Sequence, residues 1–478
     1  MIKTHIMGRH EEVAKRLLMG AAFFMLFGSV GRAQAGSGSN PTENQVAKEK
    51  CNQISLGLNF LGHGEIRSGG LPRQPERKHV EDHANFLMGR TRISAAYERL
   101  RKGCDSTETQ PILEVKAVAQ NSAIWGMRGN MSINLYEGWV RLNAKNGLFG
   151  QIGRIALAYD DERIIGPNDF ATASHSHDVL RVGYEGHGHK VHGILAYNQN
   201  PSNLWTGTYY DEGAQFYKSM HVLWYHYDLP KFPLGASLLF MNIGMQSGDP
   251  NDVYNPPCTK YQQMVGGYVN YHPKHLTLEG SYYRQMGKFV DEFKQAGKIQ
   301  AWMTSVNATV SPSEKYGFQV GYDYLSGDDF VPVTYGGTVG MPAHTVEKGF
   351  APLNGSRTKF YGIMDYFYES AYTNGFTPGL QKALVGAYYN PIPKLNCKVS
   401  YYYLATATKL QDLNKTLGHA IDLQASYRFS KDIFLVAGYT QMMGTETMNR
   451  LKKGDSSKQA LWGWFSLVVS PTLFKSRW

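Results

Sequence analysis

The feature that most restricts the fold of this chain is a two-residue alternation of apolar and polar side chains, repeated in segments of about ten residues. It is clearest where Ile421, Leu423 and Ala425 alternate with Asp422 and Gln424. A period of two places successive side chains on opposite faces of a β-strand. After residue 35 no window holds the roughly 18 consecutive apolar residues that indicate a transmembrane helix. The sequence therefore predicts an all-β chain whose strands have one apolar and one polar face.

Aromatic residues and connection lengths favour a membrane barrel over a soluble β-sandwich, whose strands alternate in the same way. The 478 residues include 31 Tyr and 8 Trp, many near the ends of predicted strands, where such rings form interfacial girdles in barrels. Tight turns, as at 145–147 and 272–274, alternate with longer loops, as at 247–261 and 328–357. We therefore predict a transmembrane antiparallel β-barrel with short periplasmic turns and long extracellular loops.

The spacing of the alternating segments predicts about 18 strands, an even number that returns the C-terminus to the periplasmic side. Closure of such a sheet removes the unpaired edges that an open sheet of this size would expose. The predicted strands start near residues 54, 85, 110, 131, 147, 175, 188, 214, 233, 262, 275, 297, 314, 378, 395, 416, 432 and 458.

The beginning of the chain indicates export. A basic pair at 15–16, an apolar run and an A-x-A sequence at 33–35 are the parts of a secretory signal. The apolar run is shorter than the roughly 20 residues that a membrane anchor needs. We therefore predict a signal peptide over 1–35, a periplasmic lead over 36–53 and a single barrel over 54–478. The expected location is the cell outer membrane.

One segment, Gly153–Gly166, is more specific than the alternation. It reads GRIALAYDDERIIG and resembles the G-R-x-x-L-x-Y-x-D-x-R-x-x-G signature of the alginate-export family of outer-membrane barrels. The preceding strand, 135–142, and the stretch 359–367 followed by a G-L-Q strand at 379–381 are similar to further parts of that family. The resemblance implies an 18-stranded barrel with a role in transport, and it leaves the solute open.

If the apolar face of each strand contacts lipid, the charged residues of the other face line the lumen. An Arg or Lys on the lipid face at mid-bilayer costs roughly 2–4 kcal/mol. Two interpretations remain open: basic rings that favour anions, or pairs such as Arg90 with Glu114 and Arg154 with Glu137 that brace a water-filled lumen. The predicted pore-lining residues are Arg90, Arg92, Lys116, Glu137, Arg154, Arg181, Lys382, Lys398 and Arg428.

Two loops carry separate predictions. Asp160, Asp161 and Arg163 are predicted to form a network that anchors a loop at the outer rim. The loop over 328–377 is longer than loops within compact domains usually are. We therefore expect it to fold into the lumen and constrict it.

Cysteine and histidine spacing indicates no cofactor and no metal site. Cys51 and Cys104 fall at the periplasmic ends of adjacent predicted strands, where a disulfide is compatible with an oxidising compartment; two reduced thiols are the alternative. The histidines over 175–177 and 187–192 lie at opposite ends of one predicted hairpin, so they cannot form one site. We expect them to be surface residues.

Together these features predict an outer-membrane channel for passive passage of small or oligomeric solutes, anionic ones of carboxylate or saccharide type, and not an enzyme. The alternatives are a non-conducting barrel that displays loops for adhesion or assembly, and a barrel hydrolase, although no G-x-S-x-G motif is present. The expected partners are outer-membrane lipid, the barrel-assembly machinery and the solutes. Nucleic acid is not expected, because the formal net charge of +10 is spread without a basic run.

Overall fold

A computed structural model describes the barrel and parts of its loops. The predicted signal peptide and nearly all of the predicted lead lie outside the described residues. The described residues are 51–68, 83–101, 111–126, 133–169, 174–199, 217–248, 253, 256–290, 296–328, 333–335, 338–340, 346–352, 354–356, 378–410, 413–452 and 459–478.

The described residues form β-strands and one short helix. In chain order these are β1 (Asn52–Ser68), β2 (His83–Arg99), β3 (Leu113–Ile124), β4 (Ile133–Asn143), β5 (Leu148–Ile155), β6 (His177–Gly186), β7 (His189–Tyr197), β8 (Ser219–Asp228), β9 (Leu234–Ser247), β10 (Cys258–Tyr271), β11 (Leu276–Val290), β12 (Ala296–Ser313), β13 (Tyr316–Leu325), β14 (Val333–Tyr335), β15 (Thr338–Gly340), β16 (Val346–Glu347), β17 (Leu380–Ile392), β18 (Leu395–Ala405), β19 (Thr416–Arg428), β20 (Ile433–Gly444), α1 (Glu446–Lys452), β21 (Ala460–Val469) and β22 (Thr472–Arg477).

The wall is a closed antiparallel barrel of 18 strands. Strands β1–β13 and β17–β21 pair in chain order, and β1 closes the sheet by pairing with β2 on one side and with β21 and β22 on the other. β21 and β22 together form the last wall strand. β16 lies parallel beside the end of β12, and β14 pairs with β15. The predicted fold class is confirmed, and the wall strands begin within about five residues of the predicted starts.

Most connections alternate in length, as predicted; the exceptions are 100–112, which is long, and 291–295, which is short. Strand ends joined by the short turns form one edge of the barrel, which we call the turn edge, and the long connections lie at the opposite, loop edge. Among the described residues no helix is long and apolar enough to cross a bilayer. The short turns of the turn edge are 144–147, 187–188, 229–233, 272–275, 314–315, 393–394 and 429–432.

The outward face of the wall carries an apolar band. Residues paired directly across strands share a face, and the outward positions include Ile93, Leu238 and Val306, each about 60% exposed. Toward the loop edge the band gives way to polar residues: Asn242 receives a hydrogen bond from Gln263 at 2.7 Å. An apolar outer surface bounded in this way is typical of a lipid-facing wall.

The inward face is not uniformly polar, contrary to the two-faced pattern expected of every strand. From β6 to β12 it carries apolar side chains such as Ile194, Met220 and Met303, which are fully buried. In a water-filled barrel these side chains would contact water, so their burial requires another segment of the chain inside the lumen. The connection between β5 and β6 contributes Leu157, Ile164 and Ile165 to the same buried cluster, and Phe350 of the connection between β13 and β17 also belongs to it.

Candidate functional site

The β5–β6 connection, residues 156–176, folds into the barrel, and we call its described part (156–169 and 174–176) the luminal loop. Asp160 Oδ1 lies 3.1 Å from Trp224 Nε1 and 2.5 Å from Ser237 Oγ. Arg163 Nη1 donates to Asp323 Oδ1 at 2.8 Å. Because Trp224, Ser237 and Asp323 face inward from β8, β9 and β13, the luminal loop reaches across part of the lumen.

Apolar side chains hold the luminal loop against the wall. Leu157, Ile164 and Ile165 are at most 3% exposed and belong to one cluster with the inward residues of β6–β12. Burial of a side chain of this size contributes roughly 1.5–3 kcal/mol. The loop and the apolar part of the wall therefore form a core inside the barrel.

The local sequence allows the tight reversal at the tip of the loop. Asp160 and Glu162 have φ of 54° and 64°, a left-handed conformation that costs most residues about 1–2 kcal/mol and that Asp tolerates better than most. The Asp161 carboxylate accepts hydrogen bonds from the backbone N–H of Arg163 at 3.0 Å and from its Nε at 2.8 Å. These two hydrogen bonds orient the Arg163 side chain as it extends from the loop.

A segment of the long connection between β13 and β17 packs on the luminal loop. Ile165 and Asn354 form a parallel bridge, and the N–H of Ser356 donates to the carbonyl of Glu162 at 2.9 Å. Gly166 faces this segment, where an added Cβ would lie 2.4 Å from Ser356 Oγ. Most of 328–377 lies outside the described residues, so its predicted constriction of the lumen stays a prediction.

Two predicted pore-lining arginines of β2 hold the other end of the luminal loop. Arg92 Nη2 donates to Asp169 Oδ1 at 2.8 Å, and Arg90 Nη1 donates to Ser174 Oγ at the same distance. Burial would raise the pKa of the Asp169 carboxyl, but hydrogen bonds from Arg92 and Ser174 and the charge of Arg90 hold it below its ordinary value. Arg90 and Arg92 therefore face inward but are covered by the loop.

Other predicted pore-lining residues also face inward and are paired. Lys116 Nζ contacts Glu137 Oε2 at 2.6 Å, which differs from the expected pairing of Glu137 with Arg154. Arg181 Nε donates to Gln151 Oε1 at 3.0 Å, and Lys382 Nζ contacts Asp323 Oδ2 at 2.7 Å. These contacts brace the wall, in line with the second of the two interpretations made from sequence.

Arg154 does not line the lumen, so its predicted position is wrong. It pairs with Gly138 and Asp178 on the outward face, two residues beyond the exposed Ile152. Its guanidinium forms an ion pair with Asp178 at 2.5 Å. The alternation along β5 places Gln151 and Gly153 inside, which leaves Arg154 outside.

The rim network is also placed differently from the prediction. Asp160, Asp161 and Arg163 do belong to a network, but it lies inside the barrel. Ser237, a contact of Asp160, is only three residues from the start of β9 at the turn edge. The apolar residues of the loop, Leu157 and Ile165, draw these charges inward, and they are the sequence signal that could have revealed a luminal loop.

A cavity of about 480 Å³ lies between the luminal loop and the wall of β10–β19. Gln424 on β19 lines both this cavity and a second one of about 810 Å³ at the turn edge, which Arg428 also lines. The two cavities therefore lie on either side of the Gln424 side chain, one beside the luminal loop and one at the turn edge. The first cavity is lined by Asp160, Asp161, Arg163, Tyr268, Glu279, Asn307, Gln319, Lys382, Leu384, Lys398, Ser400, Tyr402, Asp422 and Gln424.

The contact of Asp160 with the wall extends into a chain of polar groups. Ser237 Oγ lies 2.8 Å from His226 Nδ1, and His226 Nε2 lies 2.8 Å from Asp228 Oδ1. Burial raises the pKa of the Asp160 carboxyl, opposed in part by the hydrogen bonds from Ser237 and Trp224.

A second inward histidine, His63, contacts a serine and a glutamate, and these three residue types are those of a hydrolase triad. His63 Nδ1 lies 2.7 Å from Ser466 Oγ, and His63 Nε2 lies 2.9 Å from Glu65 Oε1. Ser466 is 6% exposed, and its strand is paired on both sides with β1 and β20. Neighbouring backbone N–H groups are thus engaged in the sheet, whereas acyl transfer needs free donors for an oxyanion. The trio is a buried network of the wall.

Two minor expectations concern cysteine and histidine. Cys51 forms no disulfide with a described residue, and Cys104 lies outside the described residues, so their pairing stays a prediction. His177 and His192 are buried rather than superficial: His177 contacts the hydroxyl of Tyr217 at 2.6 Å and His192 that of Tyr159 at 2.9 Å.

Comparisons with known proteins match the fold to solved structures of the same barrel. No family model matches the chain, and no curated protein matches it, so the alginate-export resemblance is not confirmed. Solved structures do match: OccAB1 of Acinetobacter baumannii (12% identity, TM-score 0.55, 88% of this chain and 97% of that chain) and OccK2 (OpdF) of Pseudomonas aeruginosa in complex with glucuronate (11%, 0.54, 88% and 98%). A further match is OccK11 (OpdR) of Pseudomonas aeruginosa (12%, 0.52, 88% and 96%). At this identity the likeness shows the shared 18-strand barrel fold.

Replacement of Arg163 tests the anchoring of the luminal loop. Arg163→Met removes a buried partner of Asp161 and Asp323, and breaking a buried ion pair from one side costs about 3–5 kcal/mol. We expect the loop to loosen and the single-channel conductance to rise in planar bilayers. Arg154→Met, which removes an outward and more exposed ion pair, is the matched control and should conduct like the wild type. Equal conductance of all three proteins would show that Arg163 does not hold the loop.

The raised pKa of Asp160 predicts a dependence on pH. Its neutral form stabilises the anchored loop fully below the ordinary carboxyl pKa of 3.8, and this contribution is lost as pH rises through the raised value. Between pH 3.8 and the raised pKa, exchange of the backbone amide hydrogens of 156–169 should therefore accelerate. This acceleration should exceed the intrinsic rise of amide exchange with pH. Asp160→Asn keeps a hydrogen-bonding side chain without a charge and should abolish this excess. The same excess in the variant would contradict the assignment.

Proposed function

We propose that the protein is an outer-membrane channel through which small polar solutes pass passively, and that sugar acids are the solute class it favours. The observation that carries this proposal is the cavity beside the luminal loop, which shares the lining residue Gln424 with the turn-edge cavity. An anchored loop that fills one side of an 18-strand barrel leaves a narrow path along the other side. The porin fold of the matched structures supports the same role.

The size of the cavity favours small solutes over polymers. About 480 Å³ lies within the roughly 300–1,000 Å³ of small-molecule sites. A single sugar ring with its substituents fits this volume, whereas an oligomer would have to pass in an extended form, one unit after another. Small solutes therefore suit the lumen better than the oligomeric ones also considered from sequence.

Lys398 and the polar side chains around the cavity suit a solute that carries both a carboxylate and hydroxyl groups. Lys382 and Arg163 share Asp323, whereas Lys398 forms no ion pair with any described residue and lines the cavity. Lys398 can therefore bind an anionic group of a solute. Asn307, Gln319 and the other amides and carboxylates of the lining offer acceptors and donors to hydroxyls. Glucuronate, which is bound in the matched OccK2 structure, is a representative of this class.

The resemblance of Gly153–Gly166 to the alginate-export signature concerns the luminal loop. Leu157 belongs to the inner core, Tyr159 contacts His192, and Arg163 contacts Asp323. We propose that the shared residues position the loop and do not select alginate. This proposal is supported by the burial of Leu157, which is 1% exposed, and by the ion pairs of Arg163 with Asp161 and Asp323, which already engage its guanidinium.

The charge of Lys398 provides the test of solute preference. Lys398→Gln should move the reversal potential under a KCl gradient toward cation selectivity and should slow liposome swelling in glucuronate more than in glucose. Lys145→Gln, in an exposed turn at the turn edge, is the matched control and should leave both measurements unchanged. If the wild type already selects cations, the preference for sugar acids is wrong.

Conductance of the wild type decides between the channel and the alternatives. A barrel that only displays loops for adhesion or assembly would give no unitary current in planar bilayers. The activity of a barrel hydrolase would require its nucleophile but no open lumen. Discrete current steps from the purified protein are the expected result.

A further inference from the structure

Three basic side chains lie on the outward face of β11 and β12, away from the lumen. Arg284 pairs across the two strands with Trp302, and Lys288 pairs directly with Lys298. Arg284, Lys288 and Lys298 are all exposed, whereas Tyr283, the inward residue before Arg284, is buried. We call these three residues the outer basic patch.

The height of the outer basic patch places it at one boundary of the apolar band. β11 begins at Leu276 at the turn edge, and a strand tilted by about 40° gains roughly 2.5 Å of height per residue. An apolar band about 25 Å tall therefore ends near Met286. Lys288 and Lys298 lie just beyond it, where lipid headgroups begin.

An aromatic surface lies directly below the patch. The rings of Trp302 and Tyr324 stack with centroids 4.7 Å apart, and Tyr282 lies 6.1 Å from Trp302. Aromatic rings of this kind mark the interface between hydrocarbon and headgroups. Basic groups next to such rings are within reach of the acidic part of a lipid whose chains contact the band.

The charges of the patch are not neutralised by the protein in the part of the chain that the structure describes. None of the ion pairs there includes Arg284, Lys288 or Lys298. Lys288 and Lys298 lie directly opposite each other on neighbouring strands, and like charges in such positions destabilise a sheet. Arg154, also outward, is by contrast paired with Asp178 at 2.5 Å. An anion bound between Lys288 and Lys298 would remove the repulsion that the register imposes.

We infer that the outer basic patch binds the phosphate groups of a phosphorylated glycolipid headgroup in the outer leaflet. This inference rests on the proposed outer-membrane location, with the turn edge toward the periplasm. Phosphate is the anion that suits the site, because an Arg guanidinium presents a planar pair of donors to it and lysines add compact charge. The aromatic surface below contacts the lipid's apolar part.

The test measures lipid retained by the full-length barrel. Wild-type protein is reconstituted in phosphatidylcholine nanodiscs that contain lipid A bearing two phosphates, or the same lipid after enzymatic removal of its phosphates, and bound lipid is counted by native mass spectrometry. We expect retention of the phosphorylated lipid only. Lys288→Gln/Lys298→Gln should lower retention roughly tenfold, since each basic residue near an anionic surface adds measurably to binding.

Matched controls separate this site from general charge effects. Lys274→Gln/Lys315→Gln removes two exposed lysines at the turn edge and should retain lipid like the wild type. Inorganic phosphate at millimolar concentration should not displace the lipid; displacement would show a site for free phosphate instead. Equal retention by both double variants, or equal retention of the dephosphorylated lipid, would overturn the inference. Each variant is checked for the compact gel mobility of a folded barrel, and Lys298→Gln alone replaces the double variant if that one does not fold.

Discussion

The structure depends on the burial of the luminal loop against the apolar inner face of β6–β12. An 18-strand barrel without such a loop encloses a wide water-filled lumen, in which Ile194, Met220 and Met303 would be exposed to water. Leu157, Ile164 and Ile165 belong to one buried cluster with these residues, and together they make one side of the lumen a packed core. The remaining cavity, the placement of Asp160 and Arg163 and the width of the path all follow from this contact.

Charge then fixes the position of the loop within the core. Asp161 orients the Arg163 guanidinium, which reaches Asp323 across the lumen, while Arg90 and Arg92 bind the segment around Asp169. Non-directional apolar burial alone would permit the loop to slide along the wall. Ion pairs at both ends restrict it to one register, and the cavity keeps a defined shape.

The fold could be predicted from the sequence because alternation, tight turns and aromatic positions are local signals. The strand starts, such as those near residues 395 and 416, needed no knowledge of distant contacts. Leu157 and Ile165 signal a buried loop, but the position of that loop could not be predicted, because its partners, Trp224, Ser237 and Asp323, are distant in the chain. The alternation is also uninformative where both faces of a strand are apolar. A charged residue of a wall strand is expected to point inward, whereas the register of Arg154 with Asp178 places both outside.

The central claim is that the luminal loop narrows the lumen to the width of a small solute. It is tested most directly by polymer exclusion, in which single-channel conductance of the wild type is measured with polyethylene glycols of increasing size. The account predicts that polymers larger than a disaccharide stay outside and leave the single-channel conductance at its polymer-free value. Entry of much larger polymers, with a matching fall in conductance, would contradict it, because the lumen would then be as wide as a barrel without a luminal loop.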